Sequence, residues 1–143
     1  MPLAMQTADL YAFLEEHFPQ AANLDLRIES LDEHSIRLRL PIAEQHLRPG
    51  GTVSGPTLFW VGDCGMYLLI LARVGTAAVQ SVTTGLSMNF LRRPEPVDLL
   101  AEGTLLKLGQ RLAVGEFRFY SEGLAEPVAQ ATMTYSIPPR AKK

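Results

Sequence analysis

The segment between Pro56 and Arg73 constrains the fold of this chain most. Residues 57–72 hold a single carboxylate, Asp63, and no basic residue. Proline suits the first turn of a helix, where its missing N–H would have no intrahelical partner in any case. A helix that is apolar on almost every side has no face to offer to water, so the rest of the fold must surround it. Sixteen residues at 1.5 Å each make it roughly 24 Å long. Gly62 and Gly65 weaken its helical propensity and imply that something packs very close to it. The apolar stretch Leu58 to Ala72 is 15 residues, short of the ~20 a membrane helix needs, so we expect no membrane span.

The segments around the helix read as its cover. Leu10, Tyr11, Phe13, Leu14 and Phe18 follow Thr7 at helical spacing, which predicts a short amphipathic helix capped by Thr7 and stopped before Pro19. Leu24, Leu26 and Ile28, and then Ile36, Leu38 and Leu40, alternate with polar residues as strands do, with a hairpin turn at Asp32-Glu33-His34. Residues 45–51 read as an irregular loop containing His46 and Arg48. Four more strands are expected: around Leu86–Phe90, Leu99–Leu108, Ala113–Phe119 and Val128–Ile137, with turns at residues 108–111 and 121–123. A run of strands with one long helix predicts an α+β domain, an antiparallel sheet packed on that helix. One helix covers one sheet face, and the other carries Leu112 and Val114 among polar residues, so a partner copy is expected.

At 143 residues, residues 1–143 are expected to form a single domain, and a 47% hydrophobic, 20% charged composition is that of a globular protein. Thirteen basic and 15 acidic residues give a net charge of −2, which argues against nucleic acid as a partner. The second part of the chain, from residue 89, is net positive and leaves room for a local anion site. One cysteine, Cys64, allows no internal disulfide, and no secretion signal is recognisable, so a cytoplasmic location is expected. Cys64 and three scattered histidines lack ligand spacing, so no metal is expected.

Three segments resemble the phenylacetic-acid-degradation-type (PaaI-like) acyl-CoA thioesterases of the hotdog fold, in which a long sheet wraps a central helix. RPGGTVSGPTLFWVGDCG is similar to the family's catalytic segment, with Ser54-Gly55-Pro56 in the place of His-Gly-Gly and Asp63 at the family spacing. MNFLRRP, residues 88–94, resembles the strand ending in Phe-Leu-Arg-Pro, and LGQRLAVGE, residues 108–116, resembles the Gly-Arg-Arg turn. The resemblance spans roughly residues 24–137. It implies Asp63 as general base or nucleophile, the Gly55 N–H as the donor that polarises the thioester carbonyl, and Ser81 as a residue that positions water. It also implies that Arg92, Arg93 and Arg111 lie near coenzyme A phosphates. Ser54 and Arg48 stand at or near places where the family often has His and Asn. No separate cofactor is implied, since coenzyme A is part of the substrate.

The residues themselves fit this chemistry and also admit simpler readings. Thioester hydrolysis needs a base or nucleophile beside the carbonyl carbon and donors aimed at the oxyanion. Asp63 supplies the first, or is a carboxylate satisfied by polar neighbours. Gly55 at a helix N-terminus supplies the second, or is helix-start punctuation. Ser81, Thr83 and Thr84 form a hydroxyl cluster, or reflect β-propensity alone. Asn89 sits mid-strand, as a substrate contact or a satisfied sheet residue. Arg92, Arg93, Lys107 and Arg111 suit phosphates, or are solvated surface charge. Leu58, Phe59, Trp60 and Tyr67 line an acyl pocket or fill the core. Gly55 and Asp63 lie about 12 Å apart along one helix, so a single carbonyl cannot touch both in one chain. Two antiparallel helices in a dimer solve this, with Gly62 and Gly65 permitting their approach; a dimer of dimers is equally open. Two function classes therefore stand: an acyl-CoA thioesterase and a non-catalytic acyl-CoA-binding module. A hotdog hydratase is disfavoured because no His–Asp or His–Glu pair suits proton transfer on carbon.

Overall fold

The structure, a computed structural model, describes residues 3–22 and 25–139. Leu24, expected to begin a strand, lies outside the described residues. The elements run α1 (Thr7–His17), α2 (Pro19–Ala22), β1 (Arg27–Leu31), β2 (Ser35–Leu40), β3 (Leu47–Arg48), β4 (Thr52–Val53), α3 (Gly55–Val74), β5 (Val82–Phe90), β6 (Leu99–Leu108), β7 (Leu112–Ser121) and β8 (Ala129–Ser136). Six strands form one antiparallel sheet in the order β1-β2-β6-β7-β8-β5, with α3 against one face. This is the α+β hotdog architecture: one long helix held by a wrapped antiparallel sheet.

Three local expectations change. The N-cap of α1 is Gln6 rather than Thr7, because the Asp9 carboxylate accepts the Gln6 N–H at 2.8 Å and anchors the turn one residue earlier. Residues 45–51 are not simply irregular. A 3-10 turn at Glu44–His46 leads into the β3–β4 hairpin, whose tip uses Gly50 and Gly51 at φ values of 102° and 80°. The β1–β2 turn falls where expected, with Asp32 Oδ1 accepting the N–H groups of His34 and Ser35, each at 2.8 Å.

Glycines set how closely α3 sits on the sheet. A Cβ at Gly65 would lie 2.7 Å from the Phe117 ring and 2.8 Å from Leu38, and one at Gly62 would lie 2.9 Å from Phe119. The same ring of Phe117 lies over Gly103 on β6, where a Cβ would meet it at 2.2 Å. Met66 reaches back from the helix onto Gly115 of β7. The close approach anticipated at Gly62 and Gly65 is therefore with the sheet, not with a second helix. Phe117 and Phe119 need the volume those two glycines vacate. By length and composition the 20-residue α3 could cross a membrane, yet it is mostly buried inside the fold and is the core helix. At its C-terminal end, the Ala72 carbonyl accepts the N–H groups of Ala4 and Met5.

Burial also affects weakly acidic groups around the helix. Burial, and secondarily the Asp63 charge, pushes the Cys64 thiol up to about 12. Burial raises the Tyr67 and Tyr135 phenols as well, with the hydrogen bond to Asp63 a further cause at Tyr135.

Two outcomes follow from this packing. Gly65→Ala should destabilise the fold by about 1–3 kcal/mol in urea unfolding, overpacking outweighing the gain in helix propensity. Phe117→Leu, which withdraws the ring, should lessen that penalty in a double-mutant cycle. Folding stability should also depend on alkaline pH. The folded chain keeps its buried thiol and phenols protonated, while the unfolded chain releases these protons from the ordinary thiol value of 9.0 upward. The unfolded state then binds fewer protons, so stability is fully present below that value and falls as pH rises above it. The urea midpoint measured from pH 7.5 to 10.5 should show this decline, and Cys64→Ala should flatten its first part.

Candidate active site

The candidate site is built where α3 passes under the β5–β8 edge of the sheet. Asp63 points out of the helix toward those strands and is half-buried. Its Oδ1 accepts two hydroxyl protons, from Thr83 Oγ1 at 2.5 Å and from Tyr135 OH at 2.7 Å. The tyrosine oxygen also lies 3.0 Å from the Asp63 main-chain oxygen. No hydrogen bond from the described residues reaches Oδ2. A carboxylate in an apolar helix is thus tolerated because hydroxyls satisfy one oxygen and an open cleft solvates the other.

Two cavities meet at Asp63. The larger, of about 690 Å³, is an apolar cleft along α3 and β5 lined by Gly55, Phe59, Trp60, Asp63, Thr83 and Phe90 among others. The smaller, of about 270 Å³, is lined by Phe18, Cys64, Tyr67, Ser81 and Tyr135, and shares Trp60, Asp63 and Thr83 with the first. Ser81 Oγ is the buried side-chain polar atom that lacks a partner among the described residues. Phe59 is exposed and Trp60 and Tyr67 are half-buried along these cavities, while Leu58 is fully in the core.

The helix N-terminus forms the other end of the cleft. Ser54 is the N-cap, its Oγ accepting the Thr57 N–H at 3.3 Å and meeting Thr57 Oγ1 at 2.7 Å. The Leu58 N–H goes to the Ser54 carbonyl, and Pro56 has none. Gly55 is therefore the first-turn residue whose N–H has no partner in its own helix. Ser54, which stands where the family often has His, is occupied here as a cap.

The cationic residues divide into two groups. Arg48, Arg92 and Arg93 line a groove of about 380 Å³ that also touches Gly55 and Phe90, beside the helix N-terminus. Arg93 donates to the Gly50 carbonyl at 2.6 Å, and Arg92 donates to the Pro127 carbonyl at 2.7 Å and pairs with Glu126. Lys107 and Arg111 lie on the β6–β7 hairpin, and Arg111 donates to the Ile137 carbonyl at 3.0 Å. That hairpin is at the Val82 end of β5, whereas Arg92 follows its Phe90 end. The length of β5 separates them by about 25 Å at 3.3 Å per residue, so they are not one group in a single chain. Asn89 is exposed and donates to Gln130 Oε1 at 3.1 Å.

Tyr135 escaped sequence reasoning. Its one signal is position: it alternates with outward polar residues in β8, where a phenylalanine would fill the space equally well but carry no hydroxyl. Thr83, read as part of a hydroxyl cluster or as β-propensity alone, gives its hydroxyl proton to Asp63. Among the described residues, no three of His, Cys, Asp or Glu come together as a metal site would require.

The thioesterase superfamily model matches residues 50–128, the stretch that carries α3 with Asp63 and strands β5, β6 and β7. A protein from Silicibacter sp. TM1040 assigned as a thioesterase is 49% identical, with a TM-score of 0.89 over 97% of this chain and 96% of that one. A conserved protein of Pseudomonas aeruginosa is 26% identical, with a TM-score of 0.73 over 83% and 93%. A phenylacetic acid degradation-related protein from Ralstonia eutropha JMP134, 21% identical, shares the fold with a TM-score of 0.76 over 90% and 99%. No curated protein matches the chain. A family match across most of the central helix and sheet, together with a near-full-length relative at this identity, shows that the chain belongs to the thioesterase superfamily.

Proposed function

We propose that this protein hydrolyses acyl-CoA thioesters in the cytoplasm, with Asp63 as the reacting carboxylate. One observation carries the reading: a carboxylate with one oxygen that no described residue engages opens onto an apolar cleft whose far end is a helix N–H with no partner in its own helix and a groove of three arginines. The apolar wall suits the acyl group and pantetheine arm, and guanidinium groups suit phosphates. In the general-base course, Asp63 Oδ2 takes a proton from water as its oxygen adds to the carbonyl carbon. The oxyanion accepts from Gly55 N–H, the C–S bond then breaks, and the thiolate leaves with a proton as coenzyme A. If Asp63 attacks directly, the C–S bond breaks as a mixed anhydride forms, coenzyme A leaves as the thiolate and is protonated, and water then cleaves the anhydride to the free acid and the Asp63 carboxylate. The orphaned Ser81 hydroxyl beside Asp63 supports a role in holding that water.

A homodimer completes this reading. Within one chain Gly55 and Asp63 are too far apart for one carbonyl. β5 is a free sheet edge, with Val82 58% and Phe90 57% exposed, and the cleft beside it is apolar. An antiparallel partner helix there brings Gly55 of one copy toward Asp63 of the other, and brings the Arg111 end of one sheet toward the Arg92 end of the other. The outer sheet face, where Leu106 and Leu112 are exposed, is where two dimers would meet.

Purified protein should release free thiol from at least one member of a panel of short, medium-chain and aryl acyl-CoAs. Asp63→Asn should lower kcat by about 10²–10⁴ on the best of them. Binding without thiol release across the panel would instead support the non-catalytic module. The shared site makes a separate outcome measurable. Asp63→Asn and Gly55→Pro chains, each inactive alone, should regain activity when unfolded and refolded together, because a mixed dimer holds one intact site. An active monomer in sedimentation at assay concentration overturns the dimer.

A further inference from the structure

We infer that Tyr135 is a positioning residue that, with Thr83, clamps one oxygen of Asp63 and thereby dedicates the other to the reaction. The inference rests on Asp63 as the reacting carboxylate. Thr83 and Tyr135 are direct cross-strand partners in the β5–β8 ladder, so their side chains rise from the same face toward α3. Immediately after this pair the register slips between Thr83 and Gly85, leaving Thr84 outside the pairing. Such a bulge re-aims the residues beside it, and here Thr83 reaches Asp63 while Thr84 donates instead to the Thr134 carbonyl at 3.3 Å.

The two hydroxyls converge on one atom. Tyr135 has a single proton, and its shorter contact is with Oδ1 at 2.7 Å, against 3.0 Å to the main-chain oxygen. The residue is only 3% exposed, so the phenol cannot swing away to solvent. Two donors from two adjacent strands fix the carboxylate about its Cβ–Cγ bond, because rotation would break both bonds together. Oδ2 is then the oxygen that faces the cleft, held in place before substrate arrives. Orientation of this kind contributes to rate rather than to affinity, since the clamp contacts Asp63 and not the substrate.

The test is steady-state kinetics of the native oligomer on its best acyl-CoA, comparing Tyr135→Phe, Thr83→Val and Thr83→Ser, with Asp63→Asn as reference and thermal unfolding as a folding check. Tyr135→Phe keeps the ring and removes only the donor; kcat should fall about 10- to 100-fold while KM stays within about twofold. Thr83→Val should also lower kcat, and Thr83→Ser, which restores the hydroxyl, should recover to within about threefold of the native value. A merely structural role predicts parallel loss of stability and no difference between valine and serine at residue 83. The proposal is overturned if Tyr135→Phe leaves kcat within twofold, or if serine rescues nothing. Should Tyr135→Phe fail to fold, the Thr83 pair, at an exposed position, decides the question. An Asp63→Asn variant with native kcat brings down the catalytic reading and the clamp with it, whereas a dead Asp63→Asn beside an unaffected Tyr135→Phe brings down the clamp alone.

Discussion

The seating of Phe117 between helix and sheet is the contact on which the other features depend. Its ring occupies space that Gly65 of α3 and Gly103 of β6 leave empty, with Phe119 stacked beside it at 6.4 Å between centroids and lying against Gly62. A side chain at any of these glycines would run into a phenylalanine ring, so that either the ring or the helix would have to shift. The approach fixes both the height of α3 and its rotation, because only one stripe of the helix lacks side-chain bulk. Once that stripe faces β7, the orientation of every other residue on the helix is set.

The orientation of Asp63 is one consequence. Gly62 and Gly65 turn one side of α3 to Phe119 and Phe117, and Asp63 between them turns toward the β8–β5 edge. There a tyrosine on β8 and a threonine on β5 meet it. The electrostatic cost of a carboxylate in an apolar helix is met by two hydroxyl donors and by an open cleft, with no cation among the described residues paired to it. The neighbouring Cys64 thiol and Tyr135 phenol lose acidity, chiefly through burial and further through Asp63.

The helix N-terminus is the second consequence. Ser54 uses its side chain to cap, Pro56 brings no proton, and Gly55, whose N–H has no partner in its own helix, lines the same cleft as Asp63. Three arginines from two separate segments surround that end: Arg48 on the short β3–β4 hairpin, and Arg92 and Arg93 after β5. The cleft is therefore polarised along the helix, with a carboxylate in the middle and three arginines at the start.

The periodicity of the chain was enough to determine the buried helix, the six main strands and their turns, because spacing and propensity act over a few residues. It also marked Asp63, since one charge in an apolar helix is conspicuous without any structure, and Gly55, since a glycine before Pro56 stands at a helix start. Tertiary structure decided everything that needs two distant segments. It assigned Gly62 and Gly65 to Phe119 and Phe117 of β7, and it occupied Ser54 as a cap. It separated Arg111 from Arg92 by the length of β5. It also brought Tyr135 and Thr83, over fifty residues apart in the chain, onto one oxygen of Asp63. Strand pairing and register are settled by how the whole hydrophobic core closes, and a side chain's partner across a ladder leaves no trace in its own local pattern.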